Sequence, residues 1–126
     1  MPKYLLVAAG SALGGMARYF LSGVVQRATD AAFPLGTLVV NVVGCAAIGA
    51  FMAWFEARAS LSPEVRVFFV VGVLGGFTTF SSFGYESVAL LRGGEAAWSL
   101  WNVAAQIGLG LGAVAIGRAV VLAVLR

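Results

Sequence analysis

Apolar positions run along this chain in four long blocks, at about residues 4–25, 35–55, 65–91 and 97–125, each long enough to cross a bilayer as an α-helix. Charged and turn-forming positions collect between them, in the short stretches 28–34, 56–64 and 92–95, as segments outside a membrane do. Connections this short force neighbouring helices to run antiparallel, which predicts an up-down-up-down bundle. The third block is interrupted. Its middle reads Gly75-Gly76-Phe77-Thr78-Thr79-Phe80-Ser81-Ser82-Phe83-Gly84-Tyr85-Glu86-Ser87, with two adjacent glycines and five serine or threonine hydroxyls that weaken or compete with the helical ladder. In lipid, every backbone group such a break leaves unpaired is costly, so membrane proteins tolerate breaks mainly where the backbone lines a cavity or binds an ion. The functional centre is expected here.

Composition agrees with the pattern. Of 126 residues, 61% are hydrophobic and 10% charged, and the mean hydropathy is +0.99, which places the chain among integral membrane proteins of a single domain, residues 1–126. The net charge of +3 is small and scattered, and without a basic run there is no basis for nucleic-acid binding. With no histidine and one cysteine, Cys45, a disulfide framework, a His/Cys metal site and a Cys/His dyad are excluded within one chain. The only lysine is Lys3, so no Ser/Lys motif exists either, and an enzyme is not expected. Met1-Pro2-Lys3 before an apolar run resembles a signal peptide, but no small-residue cleavage site follows it, and it is taken as a retained membrane helix.

Polar residues inside the blocks are the candidates for function. In the first block Gly10 and Gly14 form a small-xxx-small pair suited to close helix approach. Arg18 either snorkels to the interface or lines an aqueous anion vestibule. In the second, Thr37, Asn41, Gly44 and Ile48 share a helical face. A buried asparagine there is either helix–helix glue, worth roughly 1 kcal/mol, or a site residue; Cys45 is expected off this face, as packing. In the third, Phe80 and Phe83 share a face with Ser87 one turn on, as packing or as site, and Glu86 is the only acid well inside an apolar stretch. The fourth carries a polar-to-small stripe of Ser99, Asn102, Gln106 and Gly110; Gly108, Gly110 and Gly112 invite close packing, and Arg118 can snorkel. On the bundle topology Lys3, Arg58, Arg66 and Arg126 fall on one side of the membrane and Arg27 and Arg92 on the other, an imbalance too small to fix one orientation.

These residues resemble the Fluc (CrcB) family of fluoride channels. The likeness rests on Gly14-Gly15-Met16-Ala17-Arg18-Tyr19, on Pro34-Leu35-Gly36-Thr37-Leu38-Val39-Val40-Asn41-Val42-Val43-Gly44, and on Gly75-Gly76-Phe77-Thr78-Thr79-Phe80-Ser81-Ser82-Phe83 with Glu86 behind it. The resemblance implies an antiparallel, dual-topology homodimer of four-helix subunits whose third helix is broken in mid-membrane. It implies two fluoride pores per dimer, in the inner or plasma membrane, exporting fluoride passively and conferring fluoride resistance. The family's pore residues map to Phe80, Phe83 and Asn41, with the neighbouring hydroxyls of Thr79, Ser81 and Ser82; Thr37, on the face of Asn41, is a further pore candidate and Arg18 the candidate for a vestibule. A central structural sodium ion is implied on the backbone carbonyls of Gly75 and Thr78. Ser82 stands where the family often has threonine, and Gly84-Tyr85 where it has small residues. The fourth helix departs further: its usual serine, threonine and tyrosine are missing, and Asn102 and Gln106 are the nearest candidates.

Fluoride is a small, strongly hydrated acceptor, so its dehydration must be offset by many donors. Asn41 offers an amide N–H₂ and the hydroxyls offer rotatable O–H groups; Phe80 and Phe83 offer the positive rim of the ring, not its face. A small proton-coupled four-helix multidrug exporter is the alternative, with Glu86 as its acid. A non-transporting subunit that packs through its glycines is a third possibility, but leaves the hydroxyl-rich break unexplained.

Overall fold

A computed structural model describes residues 2–58 and 61–126, all helix and connection with no strand among them. Positions 59 and 60 of the connection expected at 56–64, and Met1 of the signal-like start, lie outside the described residues. Helix α1 spans Lys3–Arg27, α2 Leu35–Ala57 and the last helix Ala96–Val124. The third span, Pro63–Arg92, is composite: α3 (Pro63–Arg66), a π-helical stretch (Val67–Leu74), α4 (Gly75–Phe77) and α5 (Phe80–Arg92), which makes the last helix α6. All four spans are long and apolar enough to cross a membrane. The ends lie within a few residues of those expected.

Local chemistry sets the turns. Gln26 staples the first connection: its Nε2 donates to the carbonyls of Ala31 and Phe33, each at 3.2 Å, and its Oε1 accepts from Gly36 N–H at 3.0 Å. Ser62 caps α3 by accepting from Val65 N–H, with Pro63 at the first helical position, where its missing N–H is not needed. After α5, Gly94 takes φ +80°, the one positive φ among the described residues. Gly94 and Glu95 then donate back to Leu91 and Leu90, the Schellman closure that glycine permits.

Small residues bring the spans together. A Cβ added to Gly10 would lie 2.6 Å from the Phe68 carbonyl and 2.8 Å from Gly72 Cα, so α1 and the π-helical stretch touch backbone to backbone. On the other side α2 packs along α6, with Gly49 against Val114 and Gly117 against Ala46, again without room for a Cβ. Such contacts gain dispersion energy without burying polar groups. The glycines expected to pack α6 do less: a Cβ on Gly108 or Gly112 would meet nothing within 4 Å, and one on Gly110 only Cys45 Sγ. Nor does Arg118 simply snorkel; it pairs with Glu56 at 2.7 Å, the two side chains being 47% and 55% exposed. The buried interior is thin, while Tyr4, Tyr19, Phe20, Phe80 and Val124 are each more than two-thirds exposed, a surface made for lipid or another protein.

The interruption of the third span is narrower than the glycines suggest. Gly75 has ordinary helical angles (φ −64°, ψ −36°), and Gly76 is needed for close approach to Ser11, 2.7 Å from where its Cβ would be. Only Thr78 (φ −82°, ψ 157°) and Thr79 (φ −149°, ψ 117°) leave the helix.

Candidate functional site

The two extended residues leave backbone groups that the ladder no longer serves, and a neighbouring helix takes them up. Asn41, in the second turn of α2, accepts from Thr79 N–H at 2.8 Å and donates through Nδ2 to the Thr79 carbonyl at 2.9 Å. Its Nδ2 also donates to Gln106 Oε1 on α6 at 3.0 Å. Both amide protons of Asn41 are therefore engaged. The Nε2 of Gln106 is buried and has no hydrogen-bond partner among the described residues.

Hydroxyls restart the helix. Thr79 is the N-cap of α5: Ser82 N–H donates to its Oγ1 at 3.2 Å, and that hydroxyl contacts Ser82 Oγ at 3.1 Å and Ser81 Oγ at 3.3 Å. In a continuous helix Thr79 N–H would close onto the Gly75 carbonyl and Ser82 N–H onto that of Thr78. Both carbonyls lose those donors, to Asn41 and to the Thr79 hydroxyl. The Gly76 carbonyl is held by Arg18 Nε at 3.1 Å.

An open pocket of about 400 Å³ lies against the break, lined by Asn41, Gln106, Gly75, Thr78, Thr79, Phe80 and Phe83 together with apolar residues of α2, α6 and the π-helical stretch. Phe80 and Phe83 meet edge to face, ring centres 5.3 Å apart at 75°; Phe80 is 82% exposed. Cys45 also lines the pocket, contrary to the expectation that it points off the Asn41 face. It stands four residues, one helical turn, from Asn41, and that spacing carried the signal.

Residues 5–118 match the family described as CrcB-like protein, Camphor Resistance (CrcB). The chain belongs to this CrcB-like family. Proteins named fluoride-specific ion channel FluC are similar over nearly the whole length of this CrcB-like chain. That of Maridesulfovibrio salexigens is 42% identical over 125 residues, covering 96% of this chain and 99% of its own. That of Thermus thermophilus is 49% identical over 111 residues, 88% of each chain, and that of Desulforapulum autotrophicum 45% over 115 residues, 91% and 92%. With its four spans, the CrcB-like chain is a multi-pass membrane protein.

Five of the expected site residues do not line this pocket: Arg18, which holds the Gly76 carbonyl, Ser81 and Ser82, whose hydroxyls meet that of Thr79, and Thr37 and Asn102. Thr37 is buried and donates to Glu86 Oε1 at 2.7 Å, joining α2 to α5 away from the pocket lining. This engages one oxygen of the acid on which an exporter would depend; its Oε2 is buried without a partner among the described residues. Asn102 is 0% exposed and does not line the pocket; its Nδ2 donates to Ser87 Oγ at 2.9 Å. Helical spacing placed Asn102 and Gln106 on one stripe, but an α-helix turns about 40° between positions four apart. That difference sends one amide toward α5 and the other toward the break.

Proposed function

We propose that this chain is a passive fluoride channel rather than an enzyme, and that two copies inserted in opposite orientations form its working unit in the cell's inner membrane. The observation that carries this reading is the buried, unpartnered Nε2 of Gln106, a residue that lines the same pocket as Phe80 and Phe83. A donor spared by its neighbours suits a dehydrating acceptor, and positive ring edges supplement it without offering a cation a site. Asn41 contributes by fixing Gln106 and the break, and Thr79, Ser81 and Ser82 by rotatable hydroxyls. Arg18, committed through Nε alone, keeps its terminal nitrogens for the vestibule. The relatives named as fluoride-specific channels support the same conclusion.

A structural sodium ion fits this chain. The Gly75 and Thr78 carbonyls, released from their helical donors, would hold it, four such oxygens being available in an antiparallel pair. Carbonyl oxygens suit a hard cation, and its charge would make nearby anion binding more favourable. With the cell interior negative, each exported anion gains about 2.3 kcal/mol per 100 mV, so a pore needs no pump.

Reconstitution into liposomes loaded with fluoride or chloride, followed with ion-selective electrodes, tests the reading. Rapid fluoride efflux with chloride retained is expected; absent fluoride flux, or equal chloride flux, overturns it.

A further inference from the structure

The break separates α5 mechanically from the first half of its span. A continuous helix passes its rotation along the hydrogen-bonded ladder. Across Thr78 and Thr79 that ladder stops, so the angle at which α5 presents Phe83 must be set from the side. Apolar contact is a poor way to set it, because in a membrane an apolar helix face costs little whether it meets lipid or protein. Directed bonds between buried groups do better.

Such bonds join α5 to α6 one turn beyond Phe83. Ser99 Oγ donates to the Ser87 carbonyl at 2.7 Å, and Asn102 Nδ2 donates to Ser87 Oγ at 2.9 Å. Ser87 Oγ in turn donates to the Phe83 carbonyl at 2.8 Å. All three side chains are buried, and none lines the pocket. A slip of one residue would turn α5 by about 100° and strand these polar groups where water cannot serve them.

We propose that Ser87, Ser99 and Asn102 are positioning residues: a polar clamp that fixes the rotation of α5 and so aims the Phe83 ring at the pocket. Its consequence for transport rests on the channel reading above; its effect on Phe83 does not.

The test separates the two. The full chain is made with 4-fluorophenylalanine in place of Phe83 and placed in lipid nanodiscs for ¹⁹F NMR, while fluoride efflux is measured on unlabelled protein in liposomes. Ser99→Thr keeps the hydroxyl; Ser99→Val has nearly the same shape without it. The parent chain and Ser99→Thr should give one resonance, and Ser99→Val and Asn102→Leu a second or clearly broadened one. Ser99→Val should slow efflux roughly fivefold per folded dimer, the cost of about one directed hydrogen bond, and have less than about a twofold effect in a Phe83→Ile background. An unchanged ¹⁹F spectrum in both clamp variants, or equal slowing in both backgrounds, overturns the clamp. A parent chain without fluoride efflux defeats the channel reading alone, and the ¹⁹F spectra still decide the clamp. Should Ser99→Val fail to fold, Ser87→Ala, which only removes an oxygen, is read in the same two ways.

Discussion

Asn41 and Thr79 are locked together across the helix break by a reciprocal pair of hydrogen bonds, 2.8 Å from the Thr79 N–H and 2.9 Å to its carbonyl. The asparagine side chain thus takes the place of a peptide group and pairs with the extended residue much as a neighbouring strand would. The glue expected of Asn41 is observed: the amide that joins α2 to the break also holds Gln106.

Asn41→Asp separates these duties. A carboxylate still accepts from Thr79 N–H but cannot donate to the Thr79 carbonyl or to Gln106 Oε1, and it adds negative charge beside the pocket. Each buried acceptor left facing it costs about 1–3 kcal/mol. Folded dimer should decline, and fluoride efflux per surviving dimer should fall at least roughly tenfold, a barrier change of about 1.4 kcal/mol. Size-exclusion chromatography with efflux on the same preparation measures both. Undiminished efflux per dimer would reduce Asn41 to a structural role.

Phe80→Ile and Phe83→Ile test the ring edges. Phe80 is so exposed that its loss should change the subunit's stability by less than about 0.5 kcal/mol, apart from the edge-to-face pair it shares with Phe83, worth about 0.5–1.5 kcal/mol. Isoleucine keeps apolar bulk and removes the positive rim. Efflux should fall in each variant well beyond any loss of folded protein, and unchanged efflux in both would return these rings to packing.

Gly117→Leu should be far more damaging than Gly108→Leu. The first drives a side chain into the Ala46 carbonyl, where α2 and α6 touch; the second meets open space within the subunit. Overpacking typically costs about 1–3 kcal/mol, and here the obstacle is backbone. Yield of folded protein and thermal unfolding in detergent measure the difference. If Gly108→Leu retains helicity but abolishes only the dimer, the open face of α6 is covered by the second copy.

Sodium should stabilise the dimer by ordinary linkage, about 2.7 kcal/mol at roughly a hundredfold excess over its dissociation constant. Replacing it with a large organic cation is expected to lower the unfolding temperature and slow efflux. Gly75→Val is a gentler probe than the glycine pair implies, since Gly75 is helical and a Cβ there would meet only the Val70 carbonyl, at 3.7 Å. Within the subunit it should be tolerated, so any loss of sodium dependence reports crowding at the dimer centre. Insensitivity of the parent chain to sodium, down to levels that empty a tight site, removes the ion from the account.

The spans were legible because hydropathy and the two-glycine, hydroxyl-rich stretch are properties of local sequence. Asn41 was legible because a mid-span amide must find a partner. What stayed hidden depends on direction. The run Val67–Leu74 is apolar and β-branched-rich, and nothing in it distinguishes π from α bonding. Asn102 and Gln106 looked equivalent until the turn of α6 pointed one at Ser87 and the other at the break. Gly108 and Gly112 carry the same small-residue signature as Gly117, and only the neighbour decides which is used.

The two-residue gap at Thr78 and Thr79 also divides one helix dipole into two. A continuous span carries its partial charges only at its ends; here α4 finishes with carbonyls pointing forward into the gap, and α5 begins with amides pointing back into it. The first turn of α5 carries roughly half a positive elementary charge, and the end of the preceding helix the equivalent negative. Cation-seeking and anion-seeking poles therefore lie side by side at the same depth, made from peptide groups alone, in a stretch whose nearest carboxylate is Glu86.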